Sequence, residues 1–558
     1  MVKPESFYSE YLNIDSPFEH QIEMWEKINA LKFPLMIKAP TGSGKTEGVL
    51  APFLSQFIGN KFSIGPKLIY VLPMRVLVNS TAKRIKKYTN KISPFISVKV
   101  QHGDVPDAPF FISDIVVTTL DQFLYGFARA SRQVGRHIDI PAGSIASSLV
   151  VFDEAHMYRD GFTFSVMRAL LEILRKSRIP FVLMTATMPE YLEKSLFENR
   201  ELFKDLQKIS GEMSIGNSID ITFEKNPLYS NDEVNIPDTL LNKIKKKKTL
   251  IVANQVKRAQ KIYEDVKAML ELEEEQIVLL HSRFTKTDRK NHEDKALSLI
   301  PHKEDGRVVI PEGVGIVIST QVLEAGIDFS AELLLTELAP ADSLVQRAGR
   351  CARYKDEFGG MIVFPVDDNK GHLPYQEEHL EKTKDWLMKN PSFNIRNFQE
   401  VCSFVDILDY QANDYEAIDT LVDLYECVLY ADTEPRNIML RDSKPVTLVV
   451  LDIPKGGKGK TKDKIENIVL KTSLKEYSIN VDTGIAWGLF KSGHIRWEIR
   501  WKYIEKEKRY EPQIKDLLEN KKSTDEKDLR IIPFRTYIIE RSIYKQEKGI
   551  YPDVSYII

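Results

Sequence analysis

Short apolar runs recur along the first two-thirds of the chain, each followed by a loop and then by residues spaced for one face of a helix. In the first half they are Leu35–Ile37, Lys67–Leu72, Ile115–Thr118, Leu149–Phe152 and Phe181–Met184. From near residue 235 the alternation resumes with Leu250–Ala253, Ile277–Leu280, Gly315–Ser319, Leu333–Glu337 and Met361–Phe364. Strands apolar on both faces, alternating with helices, predict parallel sheets covered on both sides. The expected fold class is therefore α/β with two tandem parallel-sheet domains. Residues 211–235 read as a linker with one extended piece, Ile219–Phe223. Further on, 376–430 has helical spacing. Val446–Ile453, Ile468–Lys471 and Ile495–Ile504 read as strands, with Lys455–Lys464 as a Lys/Gly-rich surface loop that is mobile rather than phosphate-binding. The predicted divisions are 1–212, 213–366 and a mixed α+β C-terminal domain, 367–558, in whose core most of Trp487, Trp497 and Trp501 are expected to pack.

In such sheets ligands collect beyond the carboxyl ends of the strands, so the residues after each run carry the candidate chemistry. The first run breaks into Ala39-Pro40-Thr41-Gly42-Ser43-Gly44-Lys45-Thr46, a glycine-punctuated loop before a helix. The glycines let backbone N–H groups converge on phosphate oxygens, and the helix turns its positive end toward them. Lys45 supplies a charge for the outer phosphates of a nucleotide, and the Thr46 hydroxyl is placed to hold Mg²⁺. Ala39 stands where the usual pattern has Gly, a small steric departure. Upstream, Gln21 opens a helix patterned by Ile22, Met24, Trp25 and Ile28. Its amide either reads both sides of an adenine edge, accepting one hydrogen bond and donating another, or is a solvated helix-start residue.

After the run ending at Phe152 come Asp153-Glu154-Ala155-His156. A carboxylate at a strand end can hold the Mg²⁺ that bridges phosphates, and its neighbour can deprotonate an attacking water. Thr185-Ala186-Thr187 follows the next run, placing two hydroxyls where nucleotide and polynucleotide sites could communicate. Arg75, Thr118 and Thr119 are of the right type for sequence-blind phosphate contacts. The second half has no cradle of its own but carries Ser319 to Asp328 and then Gln346-Arg347-Ala348-Gly349-Arg350-Cys351-Ala352-Arg353. Arginines three apart on a helix share a face and can reach one γ-phosphate. Two such halves around one nucleotide describe a motor.

Charge and composition narrow the partners. Lys+Arg 78 against Asp+Glu 80 gives a formal charge of −2, so any basic groove for nucleic acid is local. The basic run Lys245–Lys248 reads as a solvated helix end. Cys351, Cys402 and Cys427 show no metal-ligand spacing. No apolar run approaches the roughly 18 residues of a membrane span and no charged-then-apolar leader opens the chain, so a soluble, cytoplasmic protein is expected.

The order cradle, Asp-Glu-Ala-His, Thr-Ala-Thr, Gln-x-x-Gly-Arg resembles superfamily 2 helicases over roughly residues 15–366. Four features resemble the CRISPR-associated helicase of type I interference systems. They are Gly44 to Glu47; Asp153 to Tyr158; Leu280-His281-Ser282-Arg283-Phe284 with Asp288-Arg289; and Leu338-Ala339-Pro340 leading through Asp342-Ser343-Leu344 into Gln346 to Arg353. The resemblance implies two RecA-like domains forming a nucleotide cleft. It implies Gln21 at the adenine, Thr41 to Thr46 (Thr41, Gly42, Ser43, Gly44, Lys45, Thr46) at the phosphates, and Asp153 with Thr46 on Mg²⁺. It further implies Glu154 as general base, Gln346 positioning water, Arg350 and Arg353 as arginine fingers and Asp328 near the ribose. Arg75, Thr119, Ser282 and Thr320 would touch the DNA backbone. Family members move on single-stranded DNA and are recruited by a CRISPR RNA-guided surveillance complex. Many relatives carry a fused HD nuclease; this sequence has no His-Asp dipeptide and about 15 residues before the helicase core, so no nuclease is expected in it and a separate HD nuclease subunit is implied. The rivals are a general DNA-repair or RNA helicase of the same superfamily, and a non-catalytic scaffold. Intact Lys45, Asp153, Glu154, Arg350 and Arg353 argue against the scaffold.

Overall fold

The computed structural model describes residues 3–551 apart from 41, 104, 159–160, 187, 200, 212–217, 305–306, 325–327, 355, 368–369, 410–413, 431–444, 454–457, 505–508 and 519–530. The chain divides into two compact units. One comprises Met1–Gly216, Pro340–Val345 and Glu381–Asp442; the other comprises Asn217–Ala339, Gln346–Leu380 and Ser443–Ile558.

The first unit is built on eight strands: β1 (Leu35–Lys38), β2 (Lys67–Leu72), β3 (Val98–His102), β4 (Val105–Pro106), β5 (Ile115–Thr119), β6 (Ser148–Phe152), β7 (Phe181–Thr185) and β8 (Gln207–Ser210). Their order is β4-β3-β5-β2-β6-β7-β1-β8, parallel throughout except for the β3–β4 edge. The runs form strands because nearly every residue in β1, β2, β5, β6 and β7 is buried on both faces. Helix Lys45–Gly59 and its neighbours cover one face over Leu35, Ile37, Leu68 and Tyr70. Helix Gly161–Lys176 lies on the other with Ile69, Val71, Val150 and Phe152. The helical segment after residue 380 belongs to this unit, since helix Asp414–Leu429 adds Ala417, Leu421 and Leu424 to that second cluster.

In the second unit β9 (Ser218–Phe223) is followed by a short hairpin, β10 (Tyr229–Ser230) and β11 (Glu233–Val234). Then come β12 (Thr249–Val252), β13 (Ile277–Leu280), a hairpin of β14 (His302–Glu304) and β15 (Arg307–Val309), β16 (Ile316–Ser319), β17 (Leu333–Glu337) and β18 (Phe358–Phe364). A parallel sheet of order β13-β16-β12-β17-β18-β9 results. The extended piece expected within a linker is thus an edge strand, paired to β18 from Ser218 to Phe223. Pairing of this kind joins residues about 140 apart in sequence, which no local pattern encodes.

A third sheet, in the same unit, contains β19 (Pro445–Leu451), β20 (Ser478–Asp482), β21 (Ile495–Ile504), β22 (Arg509–Asp516) and β23 (Thr536–Glu540), in the order β20-β19-β23-β21-β22. A last hairpin, β24 (Tyr544–Lys545) and β25 (Gly549–Ile550), follows it. The molecule thus has two RecA-like parallel-sheet domains and a mixed α+β C-terminal region. Three local expectations need correction. Ile468–Lys471 is not a strand, and Lys458 onward is not loop: both lie in helix Lys458–Lys471, whose Ile465 and Val469 pack on Trp497 and Ile499. The tertiary contact with the sheet overrides the Lys/Gly composition. Lys248 is not solvated but buried, its ammonium donating to Gly313 O at 2.8 Å. Of the tryptophans, Trp497 is core, whereas Trp501 is half exposed. Among the described residues, no helix is long and apolar enough to cross a membrane.

Two buried arginines pin the carboxyl edge of the second sheet. Arg258 donates to Glu337 Oε1 at 2.7 Å and to Asp367, and lies 5.0 Å from the Tyr229 ring. Glu337, fully buried, also accepts from the Asn254 N–H at 2.7 Å. Breaking a buried pair leaves an uncompensated charge, so Arg258→Ala is expected to cost about 3–5 kcal/mol in denaturant unfolding. Arg258→Met with Glu337→Gln should recover most of that loss; no recovery would mean the pair is not what holds the edge.

Candidate functional site

The phosphate loop leaves β1 at Ala39 and enters helix Lys45–Gly59. Gly42 and Gly44 both take left-handed backbone, φ +85° and +75°. A Cβ on Gly44 would lie 2.4 Å from the Gln21 amide nitrogen, so only glycine lets the loop pass beneath that side chain. Gln21 is itself buried, with Oε1 accepting from Phe18 N–H at 2.9 Å and Nε2 donating to Gly44 O at 2.9 Å. It therefore ties the start of its own helix to the loop. His20 makes a parallel tie, its Nε2 2.9 Å from Ser43 O.

Lys45 is buried and folded back on the loop, donating to Ala39 O at 2.7 Å and Pro40 O at 2.9 Å. Burial pushes its ammonium below the usual lysine range, and the facing Glu154 and Asp153 pull it back up. The Ser43 hydroxyl is buried and has no hydrogen-bond partner. Buried hydroxyls are rarely left that way, and a phosphate oxygen is the kind of acceptor that completes this one. Thr41 lies outside the described residues.

Tyr70, in the middle of β2, links the loop to the acidic strand end. Its hydroxyl is 2.6 Å from Asp153 Oδ2 and 3.1 Å from Thr46 Oγ1. The phenol has one proton and the carboxylate can only accept, so the Thr46 hydroxyl supplies the proton in the second contact. Arg84 Nη2 in turn donates to Thr46 Oγ1 at 2.7 Å, and the neighbouring Glu47 carboxylate holds the guanidinium firmly charged. Thr46 and Asp153 are thus two hard oxygens converging on one hydroxyl, a donor set that suits Mg²⁺. Asp153 Oδ1 accepts from Glu154 N–H at 2.8 Å. Burial, with the charge of Glu154, raises the Asp153 carboxyl to about 6.

Glu154 sits in left-handed backbone, φ 54°, a strained conformation for a non-glycine residue. Its Oε2 has no hydrogen-bond partner and lies 3.5 Å from His156 Nδ1. That ring nitrogen is 3.3 Å from Thr185 Oγ1, which joins the acidic motif to Thr185-Ala186. Thr187 is outside the described residues. Arg75 starts helix Arg75–Ile92, and Thr119 is buried ahead of helix Leu120–Phe127.

In the second unit Arg350 and Arg353 do not share a helix face as expected. The helix Ala341–Ala348 stops before them, and Ala352 takes a positive φ of 43°. Gly349 and two tight turns, Arg350 N–H to Arg347 O and Cys351 N–H to Ala348 O, end it. Arg350 donates to Leu323 O and Glu324 O, each at 3.0 Å. Arg353 pairs with Asp328 at 2.9 Å. Gln346 is half-buried on the helix. Ser282 is exposed in the loop after β13, and Thr320 is buried after β16.

Arg347, beside these, escaped the sequence reading. It is buried, donating to Glu324 Oε1 at 3.0 Å, Thr336 Oγ1 at 2.7 Å and Asn254 Oδ1 at 3.0 Å. Its place inside Gln346–Arg353 was the available signal. Tyr70 and Arg84 were missed as well; the hydroxyl within the aliphatic run Lys67–Leu72 was the signal for Tyr70. Among the described residues no group of His, Cys, Asp and Glu is arranged to hold a metal by itself.

A phosphate loop after one parallel strand, paired acids after another and a second parallel-sheet domain carrying Gln-x-x-x-Arg are features of ATP-binding helicases of superfamily 2. Residues 18–195 match the DEAD/DEAH box helicase family, and residues 245–356 match the C-terminal family of the CRISPR-associated nuclease/helicase Cas3. The CRISPR-associated helicase Cas3 of Thermoproteus tenax is 28% identical over 475 residues, 79% of this chain and 76% of that protein. The CRISPR-associated nuclease/helicase Cas3 of Methanothermobacter thermautotrophicus is 27% identical over 389 residues, 63% of this chain but only 42% of that protein. The crystal structure of T. fusca Cas3-ATP shares the fold, with TM-score 0.66 and 18% identity over 88% of this chain and 67% of that one. Over both matched segments the chain is similar to the CRISPR-associated superfamily 2 helicases.

The raised Asp153 carboxyl predicts a pH effect with a definite sign. Its folded-state value, about 6, exceeds the ordinary 3.8, so the folded state holds the proton more tightly. Stability is then present below about pH 4 and lost as pH rises through about 6. Without nucleotide or metal, the melting temperature of the wild type relative to Asp153→Asn should fall between pH 4 and 7. A flat difference would show that Asp153 ionises normally.

Proposed function

We propose that this chain is an ATP-driven translocase on single-stranded DNA, the cytoplasmic motor subunit of a type I CRISPR interference system. The observation that carries the reading is the hydrogen-bonded chain Thr46–Tyr70–Asp153 beside buried Lys45, a set of groups suited to the phosphates of a nucleotide. Similarity to the CRISPR-associated helicases supports the choice of DNA and of partners.

In this reading Thr41, Gly42, Ser43, Gly44 and Lys45 hold the phosphates, Gln21 contacts the adenine and Asp328 the ribose. Thr46 and Asp153 hold Mg²⁺, which when bound neutralises charge on the phosphate oxygens. Glu154, with an unengaged carboxylate oxygen, takes the proton of the attacking water while Gln346 orients that water. Arg350 and Arg353 leave their present carbonyl and carboxylate partners to stabilise charge on the γ-phosphate. Arg75, Thr119, Ser282 and Thr320 contact the DNA backbone. Residues 1–212 and 213–366 act as the two motor domains and 367–558 as the accessory domain. Strand cleavage is assigned to a separate HD nuclease subunit, and recruitment to a CRISPR RNA-guided surveillance complex.

The test is Mg²⁺-dependent ATPase of the full chain alone, with single-stranded DNA and with single-stranded RNA of matched length. Stimulation by DNA is expected, and stimulation by RNA alone would move the chain to RNA metabolism. Lys45→Ala should lower hydrolysis at least about 100-fold while circular dichroism and DNA affinity stay near wild type. With Mn²⁺, Ni²⁺ or Co²⁺ the chain should leave single-stranded DNA intact; cleavage that a chelator stops would overturn the assignment of the nuclease to another subunit.

A further inference from the structure

The loop after β13 carries exposed Ser282, yet the residues on both sides of it are held by the hairpin β24–β25 from the far end of the sequence. We propose that this hairpin is a brace that fixes the His281–Thr285 loop in its polynucleotide-binding shape, with Tyr544 and Gly549 as its positioning residues. The proposal rests on the reading of Ser282 as a backbone contact for single-stranded DNA.

The contacts of His281 have a definite donor and acceptor. Lys548 O accepts from His281 Nε2 at 3.0 Å, which leaves His281 Nδ1 to accept from Arg283 N–H at 3.1 Å. The imidazole is therefore held as one neutral tautomer, and burial together with the Arg283 charge keeps it so by pushing its pKa down to about 3. The ring stacks on Phe284 at 4.3 Å, and His292 packs at the same distance against that phenyl ring. His292 Nδ1 lies 2.6 Å from Leu279 O and its Nε2 2.9 Å from Gln546 O in the hairpin turn; the neutral ring, with one N–H, donates to one of these carbonyls.

On the other side of Ser282 the hairpin seats a helix start. Thr285 caps helix Lys286–Leu299, accepting from Asp288 N–H at 3.2 Å. The Tyr544 hydroxyl accepts from Thr285 N–H at 3.0 Å and donates to Asp288 Oδ2 at 2.6 Å. Ile550 N–H donates to Arg283 O at 3.1 Å. Gly549 makes this approach possible: its φ is +71°, and a Cβ there would lie 2.4 Å from Arg283 O and 2.8 Å from His281 Cε1. The hairpin is itself moored to helix Val256–Met269, where Gln260 Nε2 donates to Lys548 O at 2.7 Å and Ile550 O at 2.8 Å, and Glu264 pairs with Lys548.

Positions 281, 283, 284 and 285 are all engaged, and the residue left exposed among them is Ser282. A loop ordered in advance spends no conformational entropy when it meets its ligand, whereas ordering one residue's backbone costs about 1–2 kcal/mol. Releasing the brace should therefore weaken DNA binding without touching the phosphate loop.

The experiment uses full-length Tyr544→Phe, which keeps the ring, and Gly549→Val, which forces the hairpin off the loop. Expected results are an unchanged ATPase rate and ATP KM without polynucleotide, and a Kd for fluorescent single-stranded DNA raised about tenfold. Amide hydrogen exchange at Arg283 and Thr285 should accelerate in Tyr544→Phe. Unchanged Kd and unchanged exchange in folded Tyr544→Phe would overturn the brace, even where Gly549→Val fails to fold. Faster exchange with unchanged Kd would overturn its link to DNA binding. A wild-type chain that binds no single-stranded DNA, with Tyr544→Phe still accelerating exchange, would instead sink the functional reading on which the link rests.

Discussion

One phenol hydroxyl sets the geometry of the nucleotide site. Tyr70 holds Thr46 at 3.1 Å and Asp153 at 2.6 Å, so the phosphate loop after β1 and the acids after β6 keep a fixed spacing although β7 separates their strands. The hydroxyl is fully buried, and leaving it unsatisfied would be costly, so the network specifies one arrangement of the loop rather than several.

The parallel sheet makes the register possible. Strands running the same way place all their exits on one edge, where the glycine loop, Asp153-Glu154 and Thr185 meet. The price is a buried polar cluster beneath the loop, and the chain offsets it with paired donors and acceptors: Arg84 on Thr46, Tyr88 on Glu47, and Lys45 on two carbonyls. Within the motifs themselves, left-handed backbone falls at Glu154 and at Gly42 and Gly44, where the chain turns away from its strands.

The second unit solves a different problem with the same chemistry. It has no phosphate loop, and its sheet edge is held by Arg258 and Arg347 around Glu337, Thr336 and Asn254. Arg350 donates to the carbonyls of Leu323 and Glu324, and Arg353 pairs with Asp328. Of Arg347, Arg350 and Arg353, the first two are buried, and Arg347 alone donates to two acidic or amide side chains and a threonine hydroxyl. The C-terminal hairpin extends the same logic to the Ser282 loop, where a remote segment supplies the order that the short loop between β13 and its helix lacks.

The sequence by itself determined the two parallel sheets, because strands buried on both faces read as unbroken apolar runs. It also determined the candidate nucleotide residues, because cradle and acid motifs are local and each lies at a strand end. It could not place β9 as the sheet edge, tell helix Lys458–Lys471 from a lysine-rich loop, or find the break that takes Arg350 and Arg353 off their helix. Nor could it assign Tyr70, Arg347, Tyr544 or Gly549. Those roles arise from partners tens to hundreds of residues away, and hydrogen bonds of that reach leave no periodic trace in the chain. The tertiary structure decided them through burial, which gives each isolated polar atom one affordable partner.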